Sequence, residues 1–117
     1  MEKLLLNNNE EEVENGPLQL VIKTQEYIHA NLTSPQLSLQ NAADQVNVTT
    51  AYLSHIFSVI NGITFVEYVN KEKMLLAGAL LIETNQSVSD ISQQIGYSTP
   101  QYFISRFKNY FGTTPSL

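Results

Sequence analysis

The chain has 117 residues, 43% of them hydrophobic, and a formal net charge of −5, enough for one domain with a modest core. It has no cysteine, which excludes disulfides and thiolate metal sites and points to a reducing compartment. The longest apolar run, Met74 to Ile82, is far shorter than the roughly 20 residues of a membrane span, and the first residues lack the basic-then-apolar order of a secretory signal.

The charge is uneven. Residues 1–16 hold one lysine against five glutamates, whereas 17–117 hold five cations against six acids. Acidity therefore describes the leader more than the domain. It argues against indiscriminate polyanion binding without deciding whether one face is basic. Asn7 to Pro17 is polar, charged and closed by Gly-Pro, so it reads as a flexible linker, with residues 1–16 a leader and 17–117 the folded domain. A linker in that place implies a further domain upstream.

From Leu18 the apolar spacing is helical and no stretch alternates at period two, which predicts an all-α fold. Leu18, Val21, Ile22, Tyr27, Ile28 and Leu32 mark a first amphipathic helix. Ser38 caps a short second one over "LQNAADQV". Thr49 opens a third, with Leu53, Ile56, Phe57 and Ile60 as its buried stripe, ended at Asn61-Gly62. Thr64 and Glu67 fit a capping box for a long fourth helix from Phe65 to about Glu83. Ser87 and Asp90 fit another, before "VSDISQQI". Thr99 followed by Pro100 starts a sixth helix, with Phe103, Phe107 and Tyr110 buried and Gly112 as its end. "TTPSL" reads as the first turn of a seventh.

Part of this pattern occurs twice. Leu39, Ala42, Ala43 and Val46 match Val88, Ile91, Ser92 and Ile95 at an offset of 49; Tyr52, Leu53, Phe57, Gly62 and Thr64 match Tyr102, Phe103, Phe107, Gly112 and Thr114 at an offset of 50. A short helix, a tight turn and a longer helix are thus repeated, with "GYST" one residue longer than "NVT". This is a tandem helix-turn-helix pattern: one at about 38–62, a linker helix at about 65–83, and a second at about 87–112. Two copies are fewer than a helical solenoid needs.

Over about 37–116 the chain resembles the DNA-binding domain of AraC/XylS-family transcription regulators. The carrying stretches are "LSLQNAADQVNVTTAYLSHIFSVINGITFVEYV" and "KMLLAGALLIETNQSVSDISQQIGYSTPQYFISRFKNYFGTTPS". The Ile91…Gly96-Tyr97…Tyr102-Phe103…Phe107-Lys108…Gly112…Thr114-Pro115 signature is the most specific part. The preceding "IKTQEYIHANL" resembles the branch found in response regulators. The resemblance implies about seven helices in two subdomains, each placing its second helix in a major groove. A connecting helix of about 18 residues spans roughly 27 Å, compatible with successive groove faces about 34 Å apart.

With the apolar stripes inward, Thr50, Ala51, Ser54, His55 and Ser58 are left exposed on the third helix, and Pro100, Gln101, Ile104, Ser105 and Lys108 on the sixth. The base-reading candidates are Thr50, Ala51, Ser54, His55, Pro100, Gln101, Ile104 and Ser105. Gln101 can bond an adenine edge bidentately, and Ala51 and Ile104 can meet a thymine methyl. The phosphate candidates are Thr49, Ser58, Lys71, Lys73, Thr99, Arg106 and Lys108. Tyr52 and Tyr102 read as core residues. The family commonly has arginine where His55, Lys73 and Ser105 stand and lysine where Ser58 stands, so the first reading helix lacks a fixed positive charge.

The reading is a sequence-specific DNA-binding module of a bacterial, cytoplasmic transcription regulator, with double-stranded promoter DNA as partner and no membrane contact. An upstream sensory or receiver domain, dimerisation through it, and contact with RNA polymerase go with the family. The alternative is a helix-turn-helix bundle turned to protein contact. No Gly-rich phosphate loop, nucleophile–base pair or metal-ligand cluster is visible, so neither catalysis nor a cofactor is expected.

Overall fold

A computed structural model describes residues 8–115, with side chains from residue 16 onward. The described residues form six α-helices and no strand: α1 (Asn8–Ala30), α2 (Leu39–Gln45), α3 (Thr50–Asn61), α4 (Phe65–Glu83), α5 (Val88–Ile95) and α6 (Pro100–Phe111). The seventh-helix expectation falls on 113–117, of which Ser116 and Leu117 lie outside the described residues.

Four hydroxyls set the helix starts. Ser38, Thr49, Ser87 and Thr99 each accept a hydrogen bond from the backbone N–H three residues on, at 3.0–3.1 Å. Each satisfies a donor that the first turn would otherwise leave unpaired. Three glycines set ends: Gly62 at φ +86°, Gly96 at φ +99° and Gly112 at φ +80° cap α3, α5 and α6. A side chain there would be strained in the left-handed region, which glycine enters freely.

The chain divides into two units. In the first, α1 packs against α2 and α3, and α2 against α3. Its buried residues include Val21, Ile28, Ala42, Ala43, Leu53, Phe57 and Phe65. Phe57 meets Phe65 edge-on at 5.8 Å between ring centroids. Gln25 Nε2 donates to Asn61 Oδ1 at 2.8 Å, tying α1 to the end of α3. In the second unit, Met74, Ala77, Ile91, Ile95, Phe103 and Phe107 form one core, and Leu76, Leu80 and Leu81 pack on it. α4 runs unbroken through Ala77-Gly78. Gly78 lets the Phe111 ring come close, its Cζ lying 3.4 Å from where a Cβ would stand.

Several expectations are corrected. The expected linker is helical from Asn8 through Pro17, while Asn7 lies outside the described residues. Glutamates are good helix formers, and acids near a helix start suit its dipole. That preference carries the helix through a Gly-Pro pair that usually breaks one. Leu18 and Ile22 are exposed on α1 rather than buried. Ile60 and Tyr110, expected in the buried stripes, are 39% and 46% exposed. Both stand in last turns, and the twelve-residue α3 and α6 outrun the seven-residue α2 and eight-residue α5. Tyr52 and Tyr102, expected in the core, are 44% and 52% exposed. Each precedes a fully buried residue (Leu53, Phe103), and one residue turns a helix by about 100°, which swings the ring off the stripe.

Candidate nucleic-acid interface

α3 and α6 have the same construction. A threonine outside the helix turns back to cap it, the two residues pointing inward are large and apolar, and a left-handed glycine ends it. Leu53 and Phe57 bury one side of α3; Phe103 and Phe107 bury one side of α6. What each helix leaves outward near its start is therefore fixed by rotation alone.

On α3, Ala51, Ser54 and His55 are exposed and Thr50 and Ser58 are half-buried. On α6, Gln101, Ser105 and Lys108 are exposed, whereas Pro100, Ile104 and Arg106 are half-buried. Ile104 packs on the core of its own unit, so the expectation that it is freely exposed is corrected. The caps Thr49 and Thr99 are exposed beside the first N–H groups of their helices, a disposition that suits anions.

The turn before each helix is also repeated. Val48 N–H donates to the Ala43 carbonyl and Tyr97 N–H to the Ser92 carbonyl, both at 3.0 Å. Ala43 and Ser92 are both buried, as the close crossing of the helices requires. Ser92 adds a bond of its own, its hydroxyl donating to the Thr99 carbonyl at 3.3 Å.

The cations are less available than the sequence suggests. Lys71 lies over the Tyr68 ring of its own helix at 5.7 Å. Lys73 lies over the Tyr97 ring at 5.8 Å, and burial lowers its ammonium below the ordinary lysine value. Burial likewise raises the Tyr97 phenol; the Arg106 guanidinium pulls it back and the Tyr102 phenol adds to the rise. The Tyr97 hydroxyl is buried, and Arg106 makes no aligned hydrogen bond to it. Lys108 stays exposed on α6. The tyrosine contacts of both lysines escape sequence reading, because helical spacing does not tell which ring a long side chain will cover. Among the described residues no group of acids and histidines is placed to hold a metal, and no helix is long and apolar enough to cross a membrane.

Two capped helices with matched polar starts, each behind its own short helix and tight turn, define a tandem helix-turn-helix protein. A family model described as a helix-turn-helix domain matches residues 42–117. The bifunctional transcriptional activator/DNA repair enzyme AdaA of Bacillus subtilis (strain 168) is 36% identical over 91 residues, covering 78% of this chain and 43% of AdaA. The C-terminal domain of AraT, a response regulator from Geobacillus stearothermophilus, superposes with a TM-score of 0.78 at 31% identity, covering 82% of this chain and 79% of that one. An AraC-type transcriptional regulator from Chromobacterium violaceum superposes with a TM-score of 0.79 at 27% identity, covering 86% and 88%. The chain belongs to the AraC/XylS family of transcription regulators, as a DNA-binding domain of their helix-turn-helix type. It spans less than half the length of AdaA.

Proposed function

We propose that this domain reads promoter DNA with α3 and α6, each entering a major-groove segment by its N-terminal turns. The observation that carries this is the repeated exposed arc: Ala51, Ser54 and His55 on one helix, Gln101 and Ser105 on the other, each just after a threonine cap. Gln101 is suited to an adenine edge and Ala51 to a thymine methyl. Thr49, Thr99 and Lys108 are suited to phosphate. The role is one of binding rather than catalysis, in the cytoplasm, as part of a regulator whose other domain senses a signal and supplies a second copy. That second copy raises avidity without new contacts. RNA polymerase is the further partner such a regulator requires.

The test is Gln101→Ala on a duplex recovered by selection from random sequence with the unaltered chain. A loss of about 1–3 kcal/mol confined to one base pair is the expected result. Equal loss on every sequence assigns Gln101 to the backbone. Failure to recover any duplex at low salt, even with two domains joined, favours the protein-contact reading, to which the absence of Lys and Arg from α3 lends its one support.

A further inference from the structure

Lys73 has the appearance of a phosphate contact in sequence, but its surroundings are those of a clamp. Its Nζ lies 5.8 Å from the Tyr97 ring centroid and 3.9 Å from where a Cβ on Gly96 would stand. Gly96 and Tyr97 are the turn between α5 and α6, held by Tyr97 N–H to the Ser92 carbonyl. The Tyr97 ring in turn meets Tyr102 edge-on and Phe103 at a tilt, both at 5.5 Å, in the first turn of α6. A chain of contacts thus runs from an ammonium on α4, through one ring, to the start of the second reading helix.

We propose that Lys73 is a positioning residue for α6: its ammonium pins the Gly96-Tyr97 turn to α4, and the Tyr97 ring passes that constraint to Tyr102 and Phe103. Lys73 is half-buried, and a lysine drawn partly out of water needs a compensating contact, which a ring face supplies. The device belongs to one repeat alone. Val48 occupies the place of Tyr97 in the first turn and offers no ring. Lys71 covers a ring on its own helix instead.

The inference rests on α6 being a reading helix, so one arm of the test uses no DNA. Lys73→Met, Lys73→Arg, Tyr97→Leu and the Lys73→Met/Tyr97→Leu pair are compared in the full chain. Amide hydrogen exchange at Gly96 and Tyr97 is expected to speed up about three-fold or more in Lys73→Met, the size of a partly desolvated cation–π contact. The Val48 amide, in the other turn, serves as control and stays unchanged. On the selected duplex, Lys73→Met is expected to weaken binding about three-fold or more at an unaltered salt slope. Lys73→Arg retains both properties, and Lys73→Met adds nothing once Tyr97 is leucine. A slope shallower by about 0.9 with unchanged exchange identifies a phosphate contact and overturns the proposal. Unchanged exchange and unchanged affinity overturn it too, as for a solvated lysine. If no duplex is recovered, the DNA reading fails while the exchange arm still decides whether the clamp exists.

Discussion

Asn47 and Gly96, 49 residues apart, both have positive φ, +63° and +99°, at the same point of their two turns. Asn47 is the one non-glycine among the described residues with positive φ. Asparagine tolerates the left-handed region better than other residues with a Cβ, but alanine does not. Asn47→Ala is expected to lower stability by about 1 kcal/mol, and Asn47→Gly to leave it unchanged or slightly raised, as read by urea denaturation. Equal loss in both variants would show that the side chain, not the backbone, matters there.

The placement of the lysines sharpens the expected salt dependence. With Lys71 and Lys73 drawn over tyrosine rings, Lys108 is the cation best placed to meet phosphate. Log affinity against log salt is expected to have a slope of magnitude about 1–2, from Lys108 and the half-buried Arg106, and Lys108→Gln to reduce it by about 1. Titration at four or more salt concentrations measures this. Nanomolar binding by the monomer with a slope steeper than about 6 would contradict it.

Gly78 stands in the interior of α4, where glycine costs about 1 kcal/mol relative to alanine. The atom nearest an added methyl is the Phe111 Cζ at 3.4 Å, an ordinary van der Waals contact, on a ring that is 40% exposed. Gly78→Ala is therefore expected to stabilise the chain by about 0.5–1 kcal/mol. A lower melting temperature would show the Phe111 contact to be rigid.

Tyr97 carries a buried hydroxyl without a hydrogen bond. Tyr97→Phe keeps the ring and removes the unpaired group, so it is expected to preserve stability at neutral pH or raise it by up to about 1 kcal/mol. The alkaline limb adds a second readout. Burial raises the Tyr97 phenol, so above about pH 10 the unfolded chain gives up a proton that the folded chain keeps. Stability present below that pH is lost as pH rises through the folded value. The loss should be smaller in Tyr97→Phe, though not absent, because burial and Glu72 also raise Tyr68. The lowered Lys73 works in the opposite sense and at lower pH, its contribution rising as pH climbs toward the ordinary lysine value.

The helix starts and ends were legible because local chemistry sets them. A hydroxyl before an apolar run and a glycine after it act within a few residues, and Ser38, Thr49, Ser87 and Thr99 each bond as their positions imply. The repeat was legible because the buried residues recur at fixed offsets. The exposure of Tyr52 and Tyr102 is not legible from their apolar rings alone, since it follows from their position one residue off the buried stripe. The Asn8–Pro17 helix is hidden in the sequence because a Gly-Pro pair is a stronger local signal for a break than a glutamate run is for a helix. The Lys73–Tyr97 contact joins residues 24 apart on different elements, and no local rule reports it.

The caps also bear on how quickly the chain reaches this structure. Each capping bond links residues three apart, and α2 packs on α3 and α5 on α6, neighbours in sequence. Little loop-closure entropy has to be overcome before such contacts form. Helical folds rich in such local contacts reach the native state in about microseconds to milliseconds.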